Sequence, residues 1–589
     1  MMSKPANRGQ SPRSELVNAL SPCRSAMGGL AVASSLINVL YLTGSFYMLE
    51  VYDRVLPSRS VPTLVGLSIL ALALFGFQGV LDLLRSRIMV RIGRSLGEGL
   101  SPRIYQTIAR LALLTRTPGD GLQPLRDLDQ VRGFLSSPGP LALLDLPWMP
   151  FYLGICFAFH VWIGVAALVG ALVLVTITIF TEIFSRGPTR VATGFASRRF
   201  AMAEASRRNA EVIRAMGMMP QITSLWTEID QKYLDSQQRA SDVGGGFAAL
   251  SKVLRMALQS AVLGVGAYLV IQQEASAGII IAGSILSARA LAPVDLAIAN
   301  WRNFIAFRQS WRRLNDLLGQ IGPERDQMNL PKPAESFVVE GVSLIPPGDK
   351  RLVVQDVAFR LEKGNGLGII GPSASGKSSL ARALVGVWQP VRGTVRLDGA
   401  ALDQWPAAAL GRNIGYLPQD VELLAGTVAR NIARMEASPD ADKVIAAAKA
   451  AGVHDLILRM PDGYETEIGE SGTALSAGQR QRIALARALY GEPFLVVLDE
   501  PNSNLDSDGE EALTRAIQSV RARGGIAIVI AHRPSAIAGV NLLMVMAQGR
   551  TQLIGPKEEV VAKMTRRMPA VAAPAGSGLR IVPEPGGAM

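Results

Sequence analysis

GLGIIGPSASGKSSLARALVG, Gly366 to Gly386, decides how the rest of the chain is read. A short apolar run, a loop with two glycines and a run of helix formers follow one another there. Gly371, Gly376, Lys377 and Ser378 satisfy the pattern G-x-x-x-x-G-K-[ST]. Glycines let backbone N–H groups close on phosphate oxygens, the lysine brings a point charge to the β- and γ-phosphates, and the hydroxyl after it can ligate Mg²⁺. A strand before and a helix after are the context in which this pattern signifies phosphate binding. Gly371, Pro372, Ser373, Ala374, Ser375, Gly376, Lys377, Ser378 and Ser379 are therefore expected to hold a nucleotide.

Downstream, FLVVLDE (Phe494 to Glu500) reads as a buried strand ending in two carboxylates. Asp499 is expected to hold Mg²⁺ directly or through water, and Glu500 to accept a proton from an attacking water. GIAIVIAH is a second apolar run, ending at His532, from which a side chain can reach a γ-phosphate. LSAGQRQR (Leu475 to Arg482), just ahead of the apolar-periodic IALARALYG, looks like another anion site at a helix N-terminus. One chain thus carries two phosphate-binding patterns.

The 589 residues are 49% hydrophobic and 18% charged, with mean hydropathy +0.25, which is too apolar for an ordinary soluble protein of this length. Six apolar stretches precede about residue 300, near 28–49, 62–81, 141–159, 163–183, 247–271 and 277–298. Each is close to the ~20 residues that cross a bilayer as a helix. The third, LALLDLPWMPFY, carries prolines and Asp145, which is expected to be structural, at the start of its helix where a negative charge complements the dipole.

The formal charge of +12 suggests nucleic acid until the cations are located. Segments 82–140 and 184–246 each hold nine Lys or Arg, whereas the turns near His160 and Glu274 hold none. That asymmetry predicts cytoplasmic termini and long cytoplasmic loops, and argues against a nucleic-acid partner. The loops read as helical, so several membrane helices are expected to continue into the cytoplasm. No signal peptide is expected at the N-terminus, and Cys23 and Cys156 make no disulfide framework.

The Pro-rich stretch PERDQMNLPKPAES separates the apolar half from alternating strand-like and helix-like runs. The expected organisation is a cytoplasmic segment 1–25, a transmembrane domain 26–322, a linker 323–336, a nucleotide-binding domain 337–566 and a disordered Pro/Gly/Ala-rich tail 567–589.

These residues resemble the ATP-binding cassette (ABC) family through the whole soluble domain. Gly371 to Ser378 correspond to its Walker A loop, Gln419 in YLPQD to its Q-loop and Leu475 to Gln479 to its signature. Asp499 and Glu500 match Walker B and the catalytic glutamate, Asp506 in NSNLD the D-loop, and His532 the switch histidine. The resemblance implies ATP and Mg²⁺, with Ser378, Gln419 and Asp499 around the metal and Gln419, Glu500 and His532 around hydrolysis. It also implies that Ser476 and Gly478 serve ATP bound by an opposite cassette, with Gln479 and Asp506 also nucleotide-binding, so that the chain works as a homodimer. Two positions depart from the family pattern: Ala477 replaces a glycine of LSGGQ, and VSLIPPG places Pro346 where an aromatic residue commonly stacks on adenine.

The expected fold class is therefore multidomain: an all-α six-helix transmembrane domain of the ABC exporter type 1 fold, then an α/β P-loop nucleotide-binding domain. EVYDRVLPSRS, GYLPQDVELLAGTVARNIAR and VLDEPNSNLDSDGEEAL resemble type I secretion exporters of the metalloprotease and haemophore branch. No peptidase-like domain is expected ahead of the first helix, which argues against the bacteriocin-processing branch. The resemblance implies a multi-pass protein of the bacterial inner membrane, in contact with membrane lipid. A periplasmic adaptor, an outer-membrane channel and an unfolded polypeptide with a C-terminal signal are its implied partners. Export of a lipid or small molecule is the alternative with the same motifs.

Ionisable residues inside membrane helices are costly and usually face a cavity, which singles out Arg255, Arg289 and Asp295 as a substrate path. Snorkelling or an internal Arg–Asp pair is the competing expectation for them. TEIGESGTA resembles the segment through which exporter cassettes touch the membrane loops, with Glu467 and Glu470 facing arginines, or else it is a solvated turn.

Overall fold

Hydropathy and helix length together define the first half of the chain. The computed structural model describes residues 15–114, 121–322, 327–469, 472 and 474–567. The chain divides into two units, Met1–Pro323 and Glu324–Met589. The tail residues 568–589 and Glu470 lie outside the described residues.

Among the described residues of the first unit, six helical segments are long and apolar enough to cross a membrane: Glu15–Ser58, Val61–Leu114, Gly139–Phe159, Val161–Arg208, Met219–Ile271 and Ala277–Ala299. They contain the six stretches read from hydropathy. Three of them run to 54, 48 and 53 residues, so they exceed the ~20-residue span by far and extend beyond a bilayer. Side chains such as Leu70, Leu72 and Phe77 are exposed, as lipid-facing residues are. Where helices meet, small residues allow close approach. A Cβ on Gly170 would lie 2.1 Å from Leu258, and one on Gly283 would lie 3.2 Å from Ile163.

The turns between spans are short and defined. His160 adopts an extended backbone between Phe159 and Val161, and its Nδ1 accepts the Trp162 N–H at 3.2 Å. Ser276 caps the helix that starts at Ala277, and the Asp53 carboxylate accepts from Ser276 Oγ at 2.5 Å and Gly278 N–H at 2.9 Å. Gly278 is required there, because a Cβ would sit 2.6 Å from Asp53.

Asp145 is structural, as expected, but not by standing at the start of its helix. It ends the helix Gly139–Asp145, because Pro147 in the following turn breaks the span. Its buried carboxylate accepts from Arg85 Nη1 at 3.1 Å and Asn38 Nδ2 at 2.8 Å. Tyr152 Oη donates to the Asn38 backbone carbonyl at 2.7 Å. A buried charge needs such partners, so side-chain pairing rather than a helix dipole holds Asp145.

Among its described residues the second unit has ten strands: β1 (Ser336–Leu344), β2 (Val354–Glu362), β3 (Gly366–Ile370), β4 (Arg392–Leu397), β5 (Ala400–Ala401), β6 (Ile414–Leu417), β7 (Leu495–Asp499), β8 (Ile526–Ile530), β9 (Leu542–Ala547) and β10 (Arg550–Pro556). One sheet has the order β2-β1-β4-β5 and is antiparallel; the other has the order β10-β9-β3-β8-β7-β6. Within the larger sheet β9, β3, β8, β7 and β6 are parallel. β7 and β8 are buried at every position, the near-continuous apolar reading of a strand covered on both faces.

Candidate nucleotide site

Ligands of open parallel sheets bind outside the carboxyl ends of the strands. Here the order β3-β8-β7-β6 sets four loops side by side: the phosphate loop after β3, His532 after β8, Asp499 and Glu500 at the end of β7, and Gln419 after β6. The register aligns these ends, with Ile369 opposite Ile530, Asp499 opposite Ile530 and Leu417 opposite Leu498.

Helix Lys377–Leu384 follows the loop directly. Gly371 has φ +156, and a Cβ there would lie 2.1 Å from the Met546 carbonyl oxygen; only glycine fits. The buried Lys377 donates from Nζ to the carbonyls of Gly371 at 2.9 Å and Pro372 at 2.8 Å. Burial holds its amine below the usual lysine range, while Glu500 and Asp499 pull it back up. An ammonium group held on weak carbonyl partners in this way is available to phosphate oxygens.

Ser378 Oγ donates to Asp499 Oδ1 at 3.2 Å. Asp499 is 1% exposed, and burial pushes its carboxyl up to about 6, with the Ser378 bond opposing and the Glu500 charge adding to the rise. A cation bound beside it would favour the ionised carboxylate. Among the described residues no cluster of three or more His, Cys, Asp or Glu could hold a metal. The donors available, a hydroxyl, a carboxylate and the Gln419 amide oxygen, are hard oxygen ligands. They fit Mg²⁺ completed by phosphate oxygens and water.

Glu500 is the centre of the second group. Its Oε2 accepts from Gln419 Nε2 at 3.2 Å, and its Oε1 lies 3.0 Å from His532 Nε2. Its backbone has φ +51, an uncommon conformation for a non-glycine residue, held by the Glu500 N–H to Ile530 carbonyl bond at 2.9 Å. The structure therefore brings Gln419, Glu500 and His532 together, and Ser378 and Asp499 beside them.

Ser476, Gly478 and Gln479 make no polar contact with the phosphate loop of their own chain among the described residues. Ser476 caps helix Ala477–Leu489 in a capping box with Gln479, donating its N–H to Gln479 Oε1 at 2.8 Å. A Cβ on Gly478 would lie 2.9 Å from the Asn504 carbonyl oxygen, so the signature helix packs tightly on the loop after Glu500. Asp506 caps helix Ser507–Ala522 and pairs with Arg482. The Gly509 N–H and then the Arg482 guanidinium hold its carboxyl below the usual range.

Gln481 was not anticipated from the motifs. It is buried, donates to the carbonyls of Glu500 at 3.3 Å and Pro501 at 2.5 Å, and accepts the Asn504 N–H at 3.0 Å. Its only signal is its place one turn into the signature helix. It ties the signature directly to the backbone of Glu500.

In the membrane unit Arg255 lies 3.1 Å from Asp295, which also accepts from Ser251 Oγ at 3.0 Å. These two form the internal pair weighed above. Arg289 has no carboxylate partner among the described residues; its guanidinium lies 4.4 Å from the centre of the Tyr41 ring. Glu467 forms a β-bridge with Thr427.

Comparison with known proteins agrees with both halves. The ABC transporter transmembrane region family matches residues 27–294, and the ABC transporter family matches 354–503. The chain is 59% identical over 549 residues to the type I secretion system ATP-binding protein PrsD of Rhizobium meliloti, covering 93% of this chain and 94% of that one. It is 28% identical over 556 residues to the cyclolysin secretion/processing ATP-binding protein CyaB of Bordetella pertussis, covering 93% and 77%. A solved bacterial Atm1-family ABC exporter with ATP bound shares the fold, with TM-score 0.79 and 23% identity over 94% of this chain and 99% of that one. By sequence, by fold and by the grouping of its phosphate loop with Glu500, the chain belongs to the ABC transporter family, among the type I secretion system ATP-binding proteins.

Proposed function

We propose that the chain is the ATP-driven inner-membrane motor of a type I secretion system, which moves an unfolded polypeptide with a C-terminal signal out of the cytoplasm. The observation that carries this reading is the 59% identity through 94% of a type I secretion ATP-binding protein. The site geometry supplies the chemistry. Lys377 and the loop N–H groups hold the β- and γ-phosphates, and Ser378, Gln419 and Asp499 would hold Mg²⁺, which when bound neutralises phosphate charge. Glu500 takes the proton of the attacking water, while Gln419 and His532 fix its carboxylate.

Signature residues that make no polar contact with their own phosphate loop make sense across a twofold interface. Ser476 and Gly478 would close over ATP on the partner cassette of a homodimer, with Asp506 nearby. Gln481 then links closure to Glu500 in the same chain. The cycle is closure on two ATP molecules, rearrangement of the membrane helices, and hydrolysis that separates the cassettes. A periplasmic adaptor and an outer-membrane channel would continue the path, with the termini and the nucleotide domain in the cytoplasm. The placement of nine basic residues in each long loop supports that orientation.

Deleting the chain and comparing culture-medium proteins with envelope lipids tests the cargo. Loss of one or a few secreted proteins is expected; an unchanged medium with altered lipids would favour the lipid exporter.

Ala477 is exposed at the first position of its helix, so its methyl group displaces nothing. Ala477→Gly is expected to change ATP hydrolysis less than about twofold and to cost at most about 1 kcal/mol of stability. Steady-state phosphate release and thermal unfolding check this. Arg289→Ala is expected to lower secretion about tenfold, on the order of the 1.4 kcal/mol of one cation–aromatic or substrate contact, with normal membrane insertion. Wild-type secretion by that variant would remove Arg289 from the path.

A further inference from the structure

Past the apolar stretches of the fourth and fifth spans, helices Val161–Arg208 and Met219–Ile271 run on side by side. Helix Trp301–Gln320 packs against the first of them and against helix Gln123–Leu135. The four surround a cavity of about 320 Å³, in the part of the chain read above as cytoplasmic. Short side chains leave the space open: Ala196, Ala240 and Ala306 face it from three of the helices. Protein interiors are otherwise closely packed and their polar groups paired, so an unfilled polar hollow calls for an occupant.

The lining suits an anion. Gln130, Tyr233, Gln237, Arg302 and Asn303 supply its polar groups, and no Asp or Glu lines it among the described residues. There the amides of Gln130, Gln237 and Asn303 and the hydroxyl of Tyr233 have no hydrogen-bond partner. Arg302 has no carboxylate partner among the described residues; its Nη1 donates to Ser241 Oγ at 3.4 Å. The buried and half-buried carboxylates of these helices are engaged elsewhere: Asp127 with Arg313 at 2.6 Å, Glu182 with Arg308 at 2.5 Å, Asp230 with Arg199 at 3.0 Å and Glu204 with Arg207 at 2.9 Å. Arg302 and Asn303 also stand in the first turn of helix Trp301–Gln320, which has no side-chain cap, so the positive end of the helix dipole adds to the guanidinium.

We propose that this cavity receives the free C-terminal carboxylate of the polypeptide to be exported, an inference that rests on the function proposed above. A planar guanidinium directs two N–H groups at one carboxylate, and a single cation matches its single charge. Each primary amide offers two donors and an acceptor, so Gln130, Gln237 and Asn303 can hold the N–H and C=O groups of the last peptide units whatever their side chains. The alanine walls admit a chain end and exclude a folded segment. A site of this chemistry reads the position of the chain end rather than its sequence.

The probe is a synthetic peptide copying the C-terminal end of a protein that a strain lacking this chain fails to secrete, made once with a free carboxylate and once as the C-terminal amide. Binding of each to the full chain in phosphatidylcholine nanodiscs is measured. The acid is expected to bind about tenfold more tightly than the amide, the scale of one hydrogen-bonded charge pair. Arg302→Gln should bring the acid down to the amide and leave the amide within about twofold of its parent affinity, whereas lost structure would weaken both. Ala196→Leu, which fills the cavity, should have the same effect and serves where Arg302→Gln fails to insert. Basal ATP hydrolysis should stay within about twofold in both variants, since neither residue belongs to the nucleotide domain. Equal binding of acid and amide, binding of neither, or a preference that survives both substitutions would overturn the inference and leave the secretion reading standing. A deletion strain that loses no secreted protein fails both.

Discussion

Glu500→Gln is expected to lower ATP turnover about 10²- to 10³-fold while leaving ATP affinity within about threefold of the parent, the loss that removing a positioned general base produces. The amide has nearly the carboxylate's shape, so the strained φ of +51 and the contacts of Gln419 and His532 can persist. What is lost is the acceptor for the water's proton. Binding should be spared if, as proposed, Lys377, Ser378 and the loop N–H groups, not Glu500, meet the phosphates. The variant should also hold ATP long enough to accumulate closed cassette pairs, visible as a stable dimer of the solubilised protein. Single-turnover phosphate release and nucleotide binding on one preparation check both halves. Robust turnover would remove Glu500 from the role of base and pass it to His532, the other proton acceptor of the group.

Lys377→Ala carries the second large effect. The amine is buried and desolvated, with Asp499 and Glu500 near enough to raise its proton affinity against that burial. In such a setting its charge on phosphate acts with little screening, whereas alanine leaves the β- and γ-phosphates facing two carboxylates without a counter-charge. Hydrolysis is expected to fall about 10²- to 10³-fold, the scale for removing one preorganised donor from a developing charge. ATP affinity should fall with it, in contrast to Glu500→Gln. In cells, the medium of a Lys377→Ala strain should lose the same secreted proteins as a deletion strain. Secretion that survives without measurable hydrolysis would separate the membrane path from the motor.

Much of this site was legible without coordinates, because each motif carries its own chemistry within a few residues. The phosphate loop needs glycines at fixed spacing, and the structure shows why at Gly371, where the Met546 carbonyl leaves no room for a Cβ. The capping box of Ser476 and Gln479 is equally local. Gln481 escaped notice because its partners, Glu500, Pro501 and Asn504, come from another segment. Only packing of the signature helix on that loop gives a buried amide there a purpose.

The membrane half divides in the same way. Six spans follow from hydropathy alone, since length and polarity are properties of a segment by itself. Asp145 does not follow, for its partners Arg85 and Asn38 are 60 and 107 residues away. The Arg255–Asp295 pair and the Arg289–Tyr41 contact are of this kind too. Sequence by itself determined the two halves of the chain, the phosphate loop, the two carboxylates and the family they resemble, because those depend on composition and short spacing. Tertiary structure decided which charges are paired, how Gln419 and His532 converge on Glu500, and that Pro346 is buried. Those outcomes depend on strand order and helix contact, which bring distant residues within hydrogen-bond reach and leave no trace in the local pattern.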